Sequence, residues 1–239
     1  MNETQSEPTV GEMAARQPGT TRIFERFGID YCCHGRHTLE AACASAGVEP
    51  STVRGALAEL AAQPAPPAVD WTAQPLDALV DHLLAKHHAF TRDELARIAA
   101  LGAKVVNAHG AKHPEVAPLR ELARELEADL LPHLMKEERV LFPYVRSLAA
   151  GEPAQAPFGS VAMPVRMMDR EHEAVGVILA ALRERTGGYA APADACPTWR
   201  AWYDALHALE QDLHQHIHLE SNVLFPRALE AERAVFGTG

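Results

Sequence analysis

Two eleven-residue stretches of this chain are near copies of each other. His133-Leu-Met-Lys-Glu137-Glu-Arg-Val-Leu-Phe-Pro143 and His216-Ile-His-Leu-Glu220-Ser-Asn-Val-Leu-Phe-Pro226 share the His, the Glu four residues on, and the closing Val-Leu-Phe-Pro. A further histidine precedes each copy at nearly the same distance: His88 lies 45 residues before His133, and His172 lies 44 before His216. The second half of the chain therefore repeats the first, as a segment bearing one His followed by a segment bearing His-x-x-x-Glu. A duplicated spacing of four is a helical spacing, and it restricts the chain to folds that bring two helical hairpins together.

Residues i and i+4 of a helix share one face, with Cβ atoms about 5–6 Å apart, so both side chains reach one centre. All six residues fall on apolar stripes. Leu119, Leu122, Leu126, Leu130, His133, Glu137 and Leu141 form one, and Trp202, Leu206, Leu209, Leu213, His216, Glu220 and Leu224 another. Val165, Met168, His172, Val175, Leu179 and Leu182 form a third; Leu84, His88, Thr91, Leu95 and Ile98 form the fourth. Such stripes are the buried seams of amphipathic helices. A carboxylate buried on a seam carries a large desolvation cost unless it is paired or metal-bound, and two of them would repel each other. Two cations answer both objections. Four imidazoles with two carboxylates make a nitrogen and oxygen ligand set that suits iron or manganese and still admits zinc.

The stripes lie in long helical patterns at about 76–106, 116–147, 164–186 and 198–231, separated by Gly- and Pro-containing breaks. The predicted fold is all-α, an antiparallel four-helix bundle over residues 71–239. A small helical domain at 1–62 precedes it, and residues 63–70, with Pro64, Pro66 and Pro67, read as a stiff linker. A formal charge of −10 excludes a basic nucleic-acid-binding face. No apolar run approaches the ~20 residues of a membrane span, and no secretory signal is visible, so the expected location is cytoplasmic.

Other residues attach to this frame. Glu171 precedes His172 and Asp129 lies one turn before His133; each is a candidate to hydrogen-bond a ligating imidazole or relay protons. Glu138 is assigned to the surface, and His82, His87, His109, His113, His207, His214 and His218 to the surface or to the outer surroundings of the site. Pro132 is expected to kink its helix at a cost of roughly 3 kcal/mol and so re-aim His133. Cys32 and Cys33 are adjacent, beside His34, Arg36 and His37, which are expected to lower a thiol pKa and make the pair reactive.

With these residues in place, the chain resembles the hemerythrin-like superfamily, and more closely the repair of iron centres (RIC) family. The bundle supplies the pattern at His88, His133, Glu137, His172, His216 and Glu220. The N-terminal part supplies Asp30-Tyr31-Cys32-Cys33 followed by His34-Gly35, similar to the family's D-Y-C-C-G-G signature with His34 at the first Gly. The resemblance implies two non-haem irons bridged by Glu137, Glu220 and an oxo or hydroxo group. It also implies a stress-response protein that repairs iron–sulfur clusters damaged by nitric oxide or oxidants, by donating iron from a labile site. Its partners would be damaged iron–sulfur proteins or cluster-assembly proteins, with nitric oxide or oxygen as small ligands; a homodimer is left open. Two alternatives stand beside this: a di-iron enzyme that binds and reduces nitric oxide or related oxidants, and an oxygen or redox sensor.

Overall fold

The computed structural model describes residues 7–17, 19–62, 69–151, 156 and 158–237; the expected Pro-rich linker lies outside the described residues up to position 68. Among the described residues the chain is all-α, and a single bridge between Thr9 and Thr38 is isolated. The helices are α1 (Val10–Arg16), α2 (Thr20–Arg26), α3 (Leu39–Ala46), α4 (Pro50–Ala61), α5 (Leu76–His82), α6 (Ala89–His109), α7 (Val116–Lys136), α8 (Phe142–Ala149), α9 (Ala162–Arg185), α10 (Pro197–Leu219) and α11 (Phe225–Phe236). Three π-helical turns join some of them end to end: Leu83–His88 between α5 and α6, Glu137–Leu141 between α7 and α8, and Glu220–Leu224 between α10 and α11. The chain divides into two compact units, one of Met1–Leu79 with His214–Gly239, the other Val80–Leu213.

In the first unit, short helices start where the sequence offers caps. Thr9 and Glu12 form a reciprocal capping box at α1, Thr38 caps α3 through the Ala41 amide, and Pro50 opens α4. Their apolar sides meet in a small core of Val10, Ile23, Phe24, Ile29, Tyr31, Leu39, Cys43 and Val53.

The second unit holds α6, α7, α9 and the first part of α10 side by side. α7 packs along both α6 and α9. The direction of α10 against α6 follows from its contacts. His87, just before α6, meets Asp212 late in α10, while His109 at the end of α6 meets Cys196 and Trp199 at the start of α10. The two helices are antiparallel. They approach closely at Gly102, where an added Cβ would lie 3.1 Å from the Trp202 ring. The apolar stripes are the buried seams: Leu95, Ile98, Leu119, Leu126, Leu130, Val165, Val175, Leu179, Leu182, Leu206 and Leu209 are all within the core.

The π turns were not visible in the hydrophobic pattern; the cause of the two later ones lies in the repeated Val-Leu-Phe-Pro. A proline ring collides with the carbonyl four residues back and offers no N–H. At Pro143 and Pro226 those carbonyls belong to Arg139 and Asn222, inside the two later π turns. Widening the turn relieves the clash, and the Phe142 and Phe225 amides then bond to the carbonyls of Glu137 and Glu220, five residues back. Pro132, in contrast, is accommodated inside α7, which runs unbroken from Val116 to Lys136.

Candidate metal centre

The π turns fall on the residues of the repeat: His88 ends the first, Glu137 begins the second, and Glu220 begins the third. Within the second unit the structure brings four of the six together. Glu137 is completely buried, and His88, His133 and His172 are each 2% exposed. Glu137 Oε2 lies 3.5 Å from His88 Nε2, and its Oε1 lies 3.3 Å from His133 Nε2. His172 Nε2 is 3.2 Å from His133 Nε2. One ligand atom from each of His133, Glu137 and His172 falls within 4.8 Å of the others.

The hydrogen bonds behind the rings define what those nitrogens are. His88 Nδ1 sits 2.9 Å from Glu138 Oε1, and His133 Nδ1 sits 2.8 Å from Glu171 Oε2. Burial works against charge on both glutamates, but hydrogen bonds from His88 and Arg92 to Glu138, and from Lys136 and His133 to Glu171, outweigh it and hold both carboxyls below their usual range. An ionised carboxylate only accepts, so each Nδ1 donates, and each ring turns its Nε2 to the interior. Those nitrogens face Glu137, neither of whose oxygens has a hydrogen-bond partner. A buried carboxylate without a hydrogen bond, ringed by imidazole nitrogens, is an arrangement that a cation resolves. The donor set of imidazole nitrogens and a carboxylate with one oxygen toward each of two histidines fits a bound metal cation.

The first unit carries the remaining two residues. His216 and Glu220 are 1% and 0% exposed, on one helical face, with Nε2 3.0 Å from Oε1. This is the geometry of His133 with Glu137, repeated.

Several surrounding residues are placed differently from the sequence expectation. Asp129 is exposed on α7 and does not reach a ligating ring. The repeat explains why. Asp129 corresponds to Asp212 and Glu171 to His87, and the half-buried Asp212 sits against His87, with both oxygens 3.0 Å from Nδ1. The equivalent pairing for Asp129 would set two carboxylates together, so Glu171 turns instead to His133 and Lys136. Glu138, expected at the surface, holds His88. His87, expected to turn away, is fully buried because a π turn packs more residues into each turn than an α-helix and swings both 87 and 88 inward. His218 is also buried, against the Tyr31 ring 5.4 Å away, and burial pushes its pKa down to about 4.

Cys32 and Cys33 lie in the first unit, on a loop tied to the third π turn. Asn222 Nδ2 donates to the carbonyls of Tyr31 and Cys32, each at 3.2 Å. The expected lowering of the thiol pKa does not hold for Cys32. The adjacent Cys33 thiol, burial and the Asp30 carboxylate all push it up. His34 is exposed, adopts no left-handed backbone, and sets its Nδ1 2.6 Å from Asp30 Oδ2. Among the described residues, no helix is long and apolar enough to cross a membrane.

Comparison with known proteins agrees with this geometry. Residues 79–228 match the hemerythrin HHE cation binding domain, and residues 6–61 match a domain of unknown function, ScdA_N (DUF542). The protein called iron–sulfur cluster repair protein YtfE in Escherichia coli O157:H7 is 35% identical over 224 residues, covering 93% of this chain and 97% of its own. The protein of the same name in Escherichia fergusonii gives the same identity and coverage.

Proposed function

The chain belongs to the repair of iron centres family, whose members join these two domains, and on that basis we propose that it repairs damaged iron–sulfur clusters by supplying iron held in its bundle. The observation that carries this is Glu137: a fully buried carboxylate with no hydrogen bond to either oxygen, one oxygen toward His88 and the other toward His133. His88, His133, Glu137 and His172 would hold iron, and so would His216 and Glu220, the pair that the repeat adds. Bound iron supplies the cargo for cluster rebuilding and, as two adjacent ferrous ions, electrons for small oxidants such as nitric oxide.

The chain's own residues set how firmly the iron stays. Glu138 and Glu171 fix the tautomers of His88 and His133 and raise their basicity. Both glutamates are only about one-third exposed, and both are also held by cations, Arg92 and Lys136 respectively. A basic surface group thus shares each carboxylate with a ligating ring, so a docking partner that draws away Arg92 or Lys136 changes the hold on the ring. The Glu138→Gln and Glu171→Gln proteins should keep the fold and bind iron about 10–100-fold more weakly, measured by competition with a chelator. Unchanged affinity in both would remove these carboxylates from the site.

The repair reading is tested by incubating the iron-loaded protein with an iron–sulfur enzyme whose cluster has been destroyed by nitric oxide. Faster recovery than an equal amount of free ferrous iron gives is the expected outcome. Recovery no better than with free iron, accompanied by nitrous oxide from reduced protein and nitric oxide, would transfer the assignment to nitric oxide reduction. In that reading Glu171, bridging Lys136 at the rim to buried His133, is the residue placed to pass protons inward.

A further inference from the structure

We propose that Cys32, Cys33 and Asp30 form a second cation site, outside the bundle, that takes one thiophilic divalent ion in exchange for two thiol protons. One ligand atom from each of the three lies within 4.8 Å of the others. The Cys32 and Cys33 sulfurs are 3.8 Å apart. Two thiolates bound at about 2.3 Å to one tetrahedral ion are separated by about 3.8 Å, so the pair is already spaced to chelate. Asp30 Oδ1 is 3.3 Å from Cys32 Sγ, close to the edge a carboxylate ligand would occupy.

The loop is built to hold this arrangement. Asp30 Oδ1 accepts from the amides of Cys32 at 3.1 Å and Cys33 at 2.9 Å, which folds the loop back over the carboxylate. His34 Nδ1 binds the other oxygen, and Asn222 holds the Tyr31 and Cys32 carbonyls. Burial opposes the charge on Asp30, but its hydrogen bonds from His34, Cys32 and the backbone keep the carboxyl below its usual range, so it is an anion at neutral pH. A disulfide is the competing fate of two cysteines, and here it is disfavoured. Adjacent Cα atoms are about 3.8 Å apart, short of the usual disulfide range of about 4.4–6.8 Å.

Uptake is balanced as two thiols plus M²⁺ giving a dithiolate complex plus two protons, with no change of oxidation state. Three protein ligands leave a fourth position open, which is the pattern of an exchangeable site. Zn(II) and Fe(II) share this ligand chemistry. None of its three ligands is a bundle ligand, so it stands or falls separately from the repair reading.

The test uses the full-length, iron-loaded protein under anaerobic conditions with Co(II) as the probe. One equivalent should bring up near-ultraviolet thiolate-to-cobalt charge-transfer absorption, which histidine and carboxylate ligands in the bundle do not produce. Cys33→Ser, at a partly exposed position, should abolish it with the fold intact by circular dichroism. Cys196→Ser should retain it, although Cys196 Sγ lies 3.2 Å from His109 Nε2. Because two protons leave, the apparent affinity should rise about 100-fold per pH unit while both thiols are protonated. Displacement of cobalt by Zn(II) alone assigns the site to zinc, and by Fe(II) to iron. Absence of the band, its persistence in Cys33→Ser, its loss in Cys196→Ser, or displacement by neither metal would overturn the proposal.

Discussion

Glu137→Leu is expected to empty the bundle of metal while leaving a metal-free protein at least as stable as metal-free wild type. The two halves of this result have one cause. Glu137 is buried with no hydrogen bond to either oxygen, so without a cation it is a desolvated group among imidazole nitrogens, and leucine of similar volume removes that cost. With metal the order reverses. An ion at a thousandfold excess over its Kd stabilises the folded state by about 4 kcal/mol, or about 8–16 °C in Tm for a chain of this size. Iron by plasma mass spectrometry should fall from about two ions per chain in wild type to background in the variant. The double variant Glu137→Ala/Glu220→Ala should behave alike on metal content. A Glu137→Leu protein that retained iron, or whose metal-free form melted well below metal-free wild type, would show that Glu137 is a structural residue held by the protein alone.

The sequence carried the bundle because its pattern repeats, and the same repeat singled out the six candidate ligands. A single His on an apolar stripe is ambiguous, and what raised these six above that ambiguity is the recurrence of His88, His133 and Glu137 as His172, His216 and Glu220. What it did not carry is everything that depends on a neighbouring helix. Glu138 stands beside Glu137 in sequence but acts on His88, and Glu171 stands beside His172 but acts on His133. Each carboxylate serves a ring on a different helix, and spacing along one chain segment has no means of showing that. Asp129 was misplaced for the opposite reason. It sits in register with His133 on its own helix, yet the residue across from it is an acid where the repeat's other half has His87. The two later π turns leave a trace in Pro143 and Pro226; the first, Leu83–His88, leaves none, and without it an ideal 3.6-residue helix turns His87 outward.

The repeat also breaks where the two halves do different work. Asn222 in the second copy replaces Arg139 in the first, and it is Asn222 that grips the Tyr31–Cys32 backbone. The third π turn therefore joins Glu220 to the thiol loop through two residues, a link the first copy lacks. Substitution in that loop is a way to disturb the ligand turn without touching a ligand.

Gly35→Ala should lower stability by about 2–3 kcal/mol, a large loss for a single added methyl. An added Cβ at Gly35 would lie 2.7 Å from the Tyr31 carbonyl oxygen and would press into the Asn222 side chain. The amide of Gly11 also bonds to the Gly35 carbonyl at 2.8 Å, so the loop cannot move off without breaking a second contact. The neighbouring position behaves oppositely. His34 is exposed and its ring reaches Asp30, so His34→Gly should cost less than about 1 kcal/mol, the entropy of a glycine plus one exposed hydrogen bond. This contrast accounts for the departure from the family signature at the first of its two glycines and not the second. Asn222→Ala by itself should cost about 1–3 kcal/mol, since it removes the amide that donates to both the Tyr31 and Cys32 carbonyls. In Gly35→Ala/Asn222→Ala the losses should be less than additive, because removing the amide clears one of the two collisions while the Tyr31 carbonyl still blocks the methyl. Urea unfolding of the four proteins measures these differences, and limited proteolysis reports whether the loop has opened. If Gly35→Ala unfolds at the wild-type midpoint, the loop is not packed on Asn222, and the link between the thiols and the Glu220 turn is lost with it.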